Sequence, residues 1–339
     1  AHGAEGRVAG DGSETDGVAR EGTDGGAKAV ARSHDALVRG SEEKSATMNA
    51  GSAARQHISA GTAAIPLDTP TATGAATGIW HRDPNLWKPG DVAHAAVIKN
   101  RLGWLDVIGA MRERLPALNG LRDEVRAAGW RDCVLLGMGG SSLCPEVLRS
   151  SFGSTEGQPT LHVLDTTDPL AITRVTSAID PKATGYIVSS KSGTTLETLS
   201  HLAHFWELTA SVTDTPGAHF VAVTDPGTPL ADIARDRSFL HLFTNPPDIG
   251  GRYSALSMFG LVPAAIMGID LDRLLTRAAD MRRNCAAGVP GDLNCGLSLV
   301  TVMGTLHDSG QDQVTILAPT SIDAYSPRAE HLRAEITGQ

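Results

Sequence analysis

The sequence predicts an α/β fold of the doubly wound type, in which helices cover both faces of a parallel sheet, preceded by a disordered leader. Two observations predict the sheet. From Cys133 onward, short apolar runs alternate with amphipathic stretches of helical length. Each run is β-rich and apolar on both faces, which is typical of strands buried inside a parallel sheet. Regular strand–helix alternation of this kind gives a sheet sandwiched between helices.

The leader is predicted from what residues 1–78 lack. No Phe, Trp or Tyr occurs before Trp80, and residues 1–78 hold 13 Gly and 18 Ala. Such a segment buries too little apolar area to offset the ~1–2 kcal/mol per residue of backbone entropy that is lost on folding. We therefore predict a low-complexity, disordered leader over residues 1–78 and one folded domain over residues 79–339.

Helices are predicted between the leader and the first strand. Apolar residues recur at helical spacing over residues 91–105 and 105–115, and a third short helix is predicted over residues 118–129. Order is therefore expected to begin near Ile79, with helices ahead of the sheet.

Six apolar runs are predicted to form the strands. They are Val134–Leu136, Leu161–Leu164, Tyr186–Val188, Phe220–Val223, Leu240–Phe243 and Val314–Leu317. Helices are predicted between them at about residues 144–151, 168–178, 194–211 and 229–236. In such a sheet, ligands bind beyond the carboxyl ends of the strands, so functional residues are expected in the loops that follow them.

The charge and the cysteine content exclude several classes of protein. Lys and Arg number 29 against 38 Asp and Glu, a net charge of −9, which argues against a protein that coats nucleic acid or an anionic membrane. The four cysteines form no Cys-x-x-Cys pair, which favours reduced thiols. No stretch approaches the ~20 apolar residues of a membrane span, and residues 1–6 do not resemble a signal peptide. We therefore predict a cytoplasmic protein that binds neither nucleic acid nor membrane.

The first candidate loop, residues 137–143, follows the strand Val134–Leu136 and reads Gly-Met-Gly-Gly-Ser-Ser-Leu. Its three glycines allow a close backbone approach to a ligand, and its two serines add hydroxyl groups at the start of a helix. The loop lacks the lysine of a P-loop and the third glycine of a dinucleotide-binding loop. A tight structural turn without a ligand remains an alternative.

The second candidate loop, residues 189–195, reads Ser-Ser-Lys-Ser-Gly-Thr-Thr and carries five hydroxyl side chains at the start of a helix. Backbone N–H groups at a helix N-terminus, the helix dipole and several hydroxyls together suit a phosphate monoester. The alternative is a helix cap that satisfies the first-turn N–H groups. One cap needs one hydroxyl, so five hydroxyls favour a phosphate site.

The third candidate loop, residues 248–254, reads Asp-Ile-Gly-Gly-Arg-Tyr-Ser. Its paired glycines let the backbone approach a ligand, and Arg252 supplies a cation that can stabilise oxyanionic charge without titrating. A surface salt bridge between Arg252 and Asp248, or another acid, is the alternative. Asp225, which follows the strand Phe220–Val223, is interpreted as a turn residue.

Together, these loops resemble the glucose-6-phosphate isomerase family, which has the sugar isomerase fold. The similarity runs from about Ile79 almost to the C-terminus and is strongest to the isomerase half of fused transaldolase/phosphoglucose isomerase proteins. Five stretches carry it: GMGGSSLCPEVL (137–148), LDTTDP (164–169), IVSSKSGTTLET (187–198), VTDPGT (223–228) and NPPDIGGRYSALSMFGLVPAAIMGID (245–270).

The resemblance implies interconversion of glucose 6-phosphate and fructose 6-phosphate without a metal ion or an organic cofactor. It implies that Arg252 stabilises the enediolate and that six other residues lie at the sugar phosphate. Those six are Gly140, Ser141, Ser190, Lys191, Ser192 and Thr195. The roles within residues 189–195 agree with the anion site that this loop predicts by itself.

The resemblance also implies a catalytic base. In the family this base is a glutamate in a segment of the type Glu-Gln-Leu-x-x-Glu-Ser-Thr-Gly-Lys, and the corresponding run here, residues 330–339, places Glu335 at its position. The run departs from the pattern where His331, Ile336 and Gln339 replace the glutamine, the serine and the lysine. Just upstream, the stretch Tyr-Ser-Pro-Arg (325–328) replaces one of the type Phe-Gly-x-Trp.

The family continues beyond this segment to a histidine that opens the sugar ring and to a lysine near its C-terminus. Neither can be assigned in this chain, so we expect the isomerase domain over residues 79–339 to be truncated at its C-terminus. Two functions therefore stay open: a glucose-6-phosphate isomerase, and a sugar-phosphate-binding module of the same fold without turnover. The implied partner is a small sugar phosphate. A homodimer and a fusion to, or association with, a transaldolase are left open.

Overall fold

The computed structural model describes residues 70–311 and 313–337, and for residues 70–73, 331 and 333–337 it describes the backbone alone. Most of the predicted leader, residues 1–78, lies outside the described residues. A helix, α1 (Pro70–Trp80), spans the expected boundary near Ile79. The leader and its boundary therefore stay predictions.

Three short helices lie between α1 and the sheet, as the helical spacing predicts. They are α2 (Val92–Lys99), α3 (Val107–Arg112) and α4 (Leu115–Ala127). The first begins where the Asp91 carboxylate accepts a hydrogen bond from the backbone N–H of His94, a common helix cap. The predicted helix over residues 91–105 is shorter than expected. The chain turns at Gly103–Leu105, where Gly103 donates its backbone N–H to the carbonyl of Asp248 at 3.0 Å.

Within the described residues, five parallel strands form one sheet in the order β2-β1-β3-β4-β5. The strands are β1 (Asp132–Gly137), β2 (Thr160–Leu164), β3 (Thr184–Ser189), β4 (Phe220–Thr224) and β5 (His241–Thr244). Within the sheet, Leu135 of β1 pairs with Val163 of β2 on one side and with Ile187 of β3 on the other. Five of the six predicted strands are therefore confirmed.

Helices connect successive strands, which gives the predicted doubly wound arrangement. They are α5 (Leu143–Phe152), α6 (Pro169–Ala178), α7 (Leu196–Ala210) and α8 (Pro229–Asp236). Helices α6 and α8 begin with the same capping arrangement. The side chains of Asp168 and Thr228 accept hydrogen bonds from first-turn N–H groups, and a proline follows each of these residues. Proline is well suited to the first helical position, where its missing N–H costs no hydrogen bond.

The sheet separates two apolar cores, which explains why its strands are apolar on both faces. Along β1, Leu135 joins the core on one face, and Val134 and Leu136 join the core on the other. The first core is completed by α9 (Met258–Ile266), all of whose residues are buried. Alternate residues of one strand therefore contact different helical layers, as a sandwiched parallel sheet requires.

Three further helices follow α9: α10 (Leu271–Asn284), α11 (Cys295–Asp308) and α12 (Tyr325–Thr337). The predicted strand Val314–Leu317 is wrong, because this run forms no regular element and its Val314, Ile316 and Leu317 side chains are exposed. A strand requires a neighbouring strand, and none pairs with this run in the described part of the chain. Among the described helices, none is long and apolar enough to cross a bilayer.

The packing of β3 against Trp130 gives a stability prediction. A Cβ atom at Gly185 would lie 1.9 Å from the indole ring of Trp130, which is itself buried in the first core. We expect Gly185→Ala to lower the free energy of unfolding by ~1–3 kcal/mol, because the ring has no room to move aside. Urea denaturation measures this change.

Gly120→Ala is the matched control. Gly120 lies inside α4, and a Cβ atom there would meet nothing within 4 Å. This variant should raise the free energy of unfolding by ~0.5–1 kcal/mol through helix propensity. A Gly185→Ala protein as stable as the unmodified chain would contradict the packing argument.

Candidate active site

The loops at the carboxyl ends of β1, β3, β4 and β5 border one cavity of about 560 Å³. Five of the residues predicted from the sequence line it: Gly140, Ser141, Lys191, Ser192 and Thr195. The remaining lining residues are Met138, Asp225, Pro226, Thr228, Pro247, Gly251, Ser254 and Phe259. Four loops that are distant in sequence thus meet where the strand-end rule places a ligand site.

The hydroxyl groups of the second loop form a connected set. Ser190, which is buried just behind the cavity wall, lies 2.9 Å from the Thr195 hydroxyl and accepts the backbone N–H of Gly193 at 3.1 Å. Ser192 accepts the N–H of Thr194 at 3.2 Å. Gly193 has a φ of 68°, a conformation that glycine adopts without strain. The loop therefore turns sharply and directs Ser192 and Thr195 to the cavity.

The start of α7 distinguishes the two interpretations of this loop. Thr195 occupies the capping position, but its side chain makes no capping hydrogen bond to the helix. Its hydroxyl lies instead beside Ser190. A loop whose hydroxyls served only to cap the helix would use this residue for that purpose. The arrangement favours an anion site at the N-terminus of α7.

In the first loop, only one of the two serines lines the cavity. Ser142 is buried and donates its hydroxyl hydrogen bond to the carbonyl of Gly139 at 3.1 Å, which stabilises the turn Gly139–Ser141. Ser141 borders the cavity, and its carbonyl accepts a hydrogen bond from Ser189 at 3.4 Å. The loop is thus a tight structural turn that also presents Gly140 and Ser141 to the cavity.

The first and third loops touch through their backbones. A Cβ atom at Gly140 would lie 2.4 Å from the carbonyl oxygen of Gly251. The Ser254 hydroxyl lies within hydrogen-bond distance of the carbonyls of both Gly251, at 2.7 Å, and Gly140, at 3.1 Å. Glycine at position 140 is therefore required for the two loops to meet.

Arg252 follows Gly251 in the short helical turn Gly251–Leu256. The next residue, Tyr253, stacks on Trp104 with ring centroids 5.5 Å apart. Burial raises the pKa of Tyr253, and the nearby Arg252 charge opposes this rise. The Asp248 carboxylate, which the salt-bridge alternative assigns to Arg252, lies 3.9 Å from Arg82 Nη1. Arg252 is thus held next to the cavity wall by a packed turn.

Asp225 is a cavity residue that the sequence interpretation assigned only to a turn. Its carboxylate accepts a hydrogen bond from Lys191 Nζ, which also donates to the carbonyl of Pro247 at 3.1 Å. The Asp225 side chain is 15% exposed and the Lys191 side chain 27%. Asp225 therefore does more than shape a turn, because it neutralises the lysine and links the loops after β3, β4 and β5. The sequence feature that could have marked Asp225 as a site residue is its position directly after β4, where the strand-end rule places functional residues.

Glu335 lies in the final helix, α12 (Tyr325–Thr337), but its side chain is outside the part that the structure describes. Its role as base therefore stays a prediction. Across the described residues, no group of three or more His, Cys, Asp or Glu side chains is arranged to hold a metal ion.

The phosphoglucose isomerase family model matches residues 105–307, more than half of the chain. The chain belongs to the phosphoglucose isomerase family. The matched range includes all of the cavity-lining residues and ends before α12. The predicted fold class and family are therefore confirmed.

Known relatives share this family. The chain is 41% identical to a glucose-6-phosphate isomerase of Thermus thermophilus over 180 residues, which are 52% of this chain and 42% of that protein. It is 35% identical to the enzyme of Rubrobacter xylanophilus, covering 50% of this chain and 41% of that protein. A crystal structure of the Chlamydia trachomatis glucose-6-phosphate isomerase matches with a TM-score of 0.58 and 25% identity, over 76% of this chain and 47% of that one. The chain thus spans less than half the length of these relatives.

The ion pair between Lys191 and Asp225 gives a binding prediction. A phosphate dianion bound in the cavity would lie close to the Asp225 carboxylate, which would repel it and which also neutralises Lys191. We expect Asp225→Asn to bind inorganic phosphate about fivefold more tightly, a change of ~1 kcal/mol, and to lose this gain in high salt. Isothermal titration calorimetry measures the affinity.

Asp123→Asn is the control for net charge. Asp123 is an exposed residue of α4 that does not line the cavity. The Asp123→Asn variant should bind phosphate with an affinity within twofold of that of the unmodified chain. Weaker binding by Asp225→Asn would show instead that the carboxylate holds Lys191 in place for the anion.

Proposed function

We propose that this chain carries the glucose-6-phosphate isomerase site, which interconverts glucose 6-phosphate and fructose 6-phosphate through a cis-enediol. The observation that carries the proposal is the hydroxyl-lined cavity at the N-terminus of α7, bordered by the turn that holds Arg252. The family relationship supports the same reaction.

In this proposal the phosphate group binds at the second loop. Ser192 and Thr195 donate hydroxyl hydrogen bonds to the phosphate oxygens, and Ser190 holds Thr195 in place. Gly140 and Ser141 border the sugar from the opposite loop. Lys191 lies at the phosphate, and its ion pair with Asp225 holds the loops after β3 and β4 together. Binding energy from the phosphate then orients the reacting carbons, which lie at the other end of the substrate.

The chemical step needs one base and one cation. The Glu335 carboxylate removes the proton from C2 of the open-chain aldose and returns it to C1. In the same conversion the C2 hydroxyl loses its proton to become the ketone oxygen, and the C1 aldehyde oxygen gains a proton to become a hydroxyl. Negative charge develops on those oxygens in the enediolate, and Arg252 stabilises it. A positioned base of this kind contributes about 10²–10⁴-fold to the rate.

We further propose a cytoplasmic setting and a larger assembly. All four cysteines are free thiols, which fits a reducing compartment. The likeness to the isomerase half of fused proteins supports a fusion to, or an association with, a transaldolase. A homodimer is the second form of assembly proposed, and size-exclusion chromatography with light scattering tests it.

The phosphate site predicts the effect of removing two hydroxyls. The double variant Ser192→Ala, Thr195→Ala should bind fructose 6-phosphate about ten- to hundredfold more weakly, because each hydroxyl gives a hydrogen bond to a charged oxygen. Calorimetry measures the dissociation constant. The control is Thr173→Ala with Ser200→Ala, which removes two exposed hydroxyls that only bond to helix carbonyls four residues earlier. Equal affinities for both double variants would refute the phosphate site.

The base assignment predicts a loss of turnover without a loss of binding. In an assay coupled to glucose-6-phosphate oxidation, Glu335→Gln should lower kcat from fructose 6-phosphate by about 10²–10⁴-fold. Its affinity for the sugar phosphate should stay within threefold. The control is Glu330→Gln, an exposed position on the same helix. If the unmodified chain binds fructose 6-phosphate and shows no turnover, the binding-module alternative replaces the isomerase.

A further inference from the structure

Arg328, in the first turn of α12, is a buried cation close to the candidate site. The residue is only 8% exposed. Its Nη2 donates a hydrogen bond to the backbone carbonyl of Arg252. Its Nη1 is buried and makes no hydrogen bond within the described part of the chain. Burying a guanidinium with an unused donor is costly, so a compensating role at this position is expected.

The surroundings of Arg328 place it between two walls of the site. Helix α12 packs on α5, the helix that follows the first candidate loop. Arg328 is near enough to Cys144, in the first turn of α5, for its charge to oppose the rise that burial causes in the pKa of that thiol. The Cys144 thiol in turn lies 3.7 Å from the carbonyl of Ala255, in the turn that carries Arg252. Arg328 therefore contacts the turn Gly251–Leu256 and lies near the start of α5, the helix that follows the first candidate loop.

The spacing of residues along α12 places Arg328 on the same helix face as the proposed base. Positions 328 and 335 are seven residues apart, and at 3.6 residues per turn such positions lie on the same face of a helix. The face that Arg328 docks on the Arg252 turn is thus the face that carries position 335. No described carboxylate lies within ion-pair distance of Arg328, so its charge favours an anion nearby.

We propose that Arg328 is a positioning residue, which docks the Glu335-bearing face of α12 onto the Gly251–Leu256 turn and holds Arg252 in register with the base. The proposal rests on the proposed isomerase function. The hydrogen bond to the Arg252 carbonyl fixes the backbone from which the Arg252 side chain extends. The charge of Arg328 adds to the field that stabilises the enediolate. Arg328 itself need not touch the substrate.

A positioning residue and a simple structural anchor differ in which ligands they help to bind. A positioning residue for Arg252 matters most when negative charge is present at the reacting carbons. An aldonate phosphate carries a carboxylate there, while a polyol phosphate of the same length is neutral at that end. Both carry the phosphate that binds at the distant second loop. Comparing the two ligands therefore separates the reacting end from the phosphate end.

The experiment measures the affinity of the full chain and of Arg328→Met for both ligands by calorimetry. We expect Arg328→Met to bind the aldonate phosphate about tenfold more weakly and the polyol phosphate within twofold of the unmodified chain. Arg277→Met is the control, because it removes the same charge from an arginine of α10 whose side chain is 75% exposed. It should change neither affinity. In the coupled assay, kcat should fall for Arg328→Met while KM stays within twofold.

Several outcomes would overturn the inference. Equal weakening of both ligands would show a structural anchor, and unchanged aldonate affinity would show no role at the site. If the unmodified chain binds neither ligand, the proposed function fails together with the inference. If it prefers the aldonate and Arg328→Met keeps that preference, the inference alone fails. Should Arg328→Met not fold, judged by near-UV circular dichroism, Arg328→Gln takes its place in the same comparison, because its side chain is too short to reach the Arg252 carbonyl.

Discussion

The candidate site depends on a backbone contact between Gly140 and Gly251. Residue 140 follows β1, which lies between β2 and β3 in the sheet, and residue 251 precedes α9, the fully buried helix of the first core. Because a Cβ atom at position 140 would lie 2.4 Å from the Gly251 carbonyl oxygen, a side chain there would push the two loops apart. The contact closes one wall of the cavity and brings the turn that holds Arg252 beside the strand ends. Ser254 stabilises the contact through its hydroxyl. The rest of the site is arranged around this meeting of two loops.

The electrostatics explain how a chain with a net charge of −9 can offer a site for an anion. The cavity does not rely on a cluster of free cations, because Lys191 is paired with Asp225. Hydroxyl groups and the N-terminus of α7 provide partial positive charge that is fixed in direction and is not neutralised by a carboxylate. We expect the Asp225 carboxylate to limit how strongly the cavity attracts an anion. Under the proposed function, a site that releases a phosphorylated product benefits from such moderation.

Much of this arrangement could be predicted from the sequence, because it follows from local patterns. Buried parallel strands are apolar on both faces, and the strand-end rule places together Gly140, Ser141, Lys191, Ser192 and Thr195, which line one cavity in the structure. The failures have a common cause, which is that they depend on tertiary partners. The run Val314–Leu317 has the composition of a strand but no neighbouring strand in the described part of the chain. Asp225 stands in a turn-like stretch, and its partner Lys191 lies 34 residues away. Nothing local marks Arg328 as buried, since arginine is usually exposed.

The two halves of the proposed mechanism come from parts of the chain with different structural support. The proposed phosphate-binding loops extend from strands that are hydrogen-bonded to their neighbours and buried on both faces, so their geometry follows from the sheet itself. The proposed base lies on α12, which is outside the sheet and reaches the site through its packing on α5 and the Arg328 hydrogen bond. In the proposed function, sugar-phosphate binding therefore needs only the sheet and its loops, whereas proton transfer needs α12 to be docked as well. In the proposed mechanism, the docking of α12 against the turn that holds Arg252 is thus one requirement that separates an isomerase from a binding module of this fold.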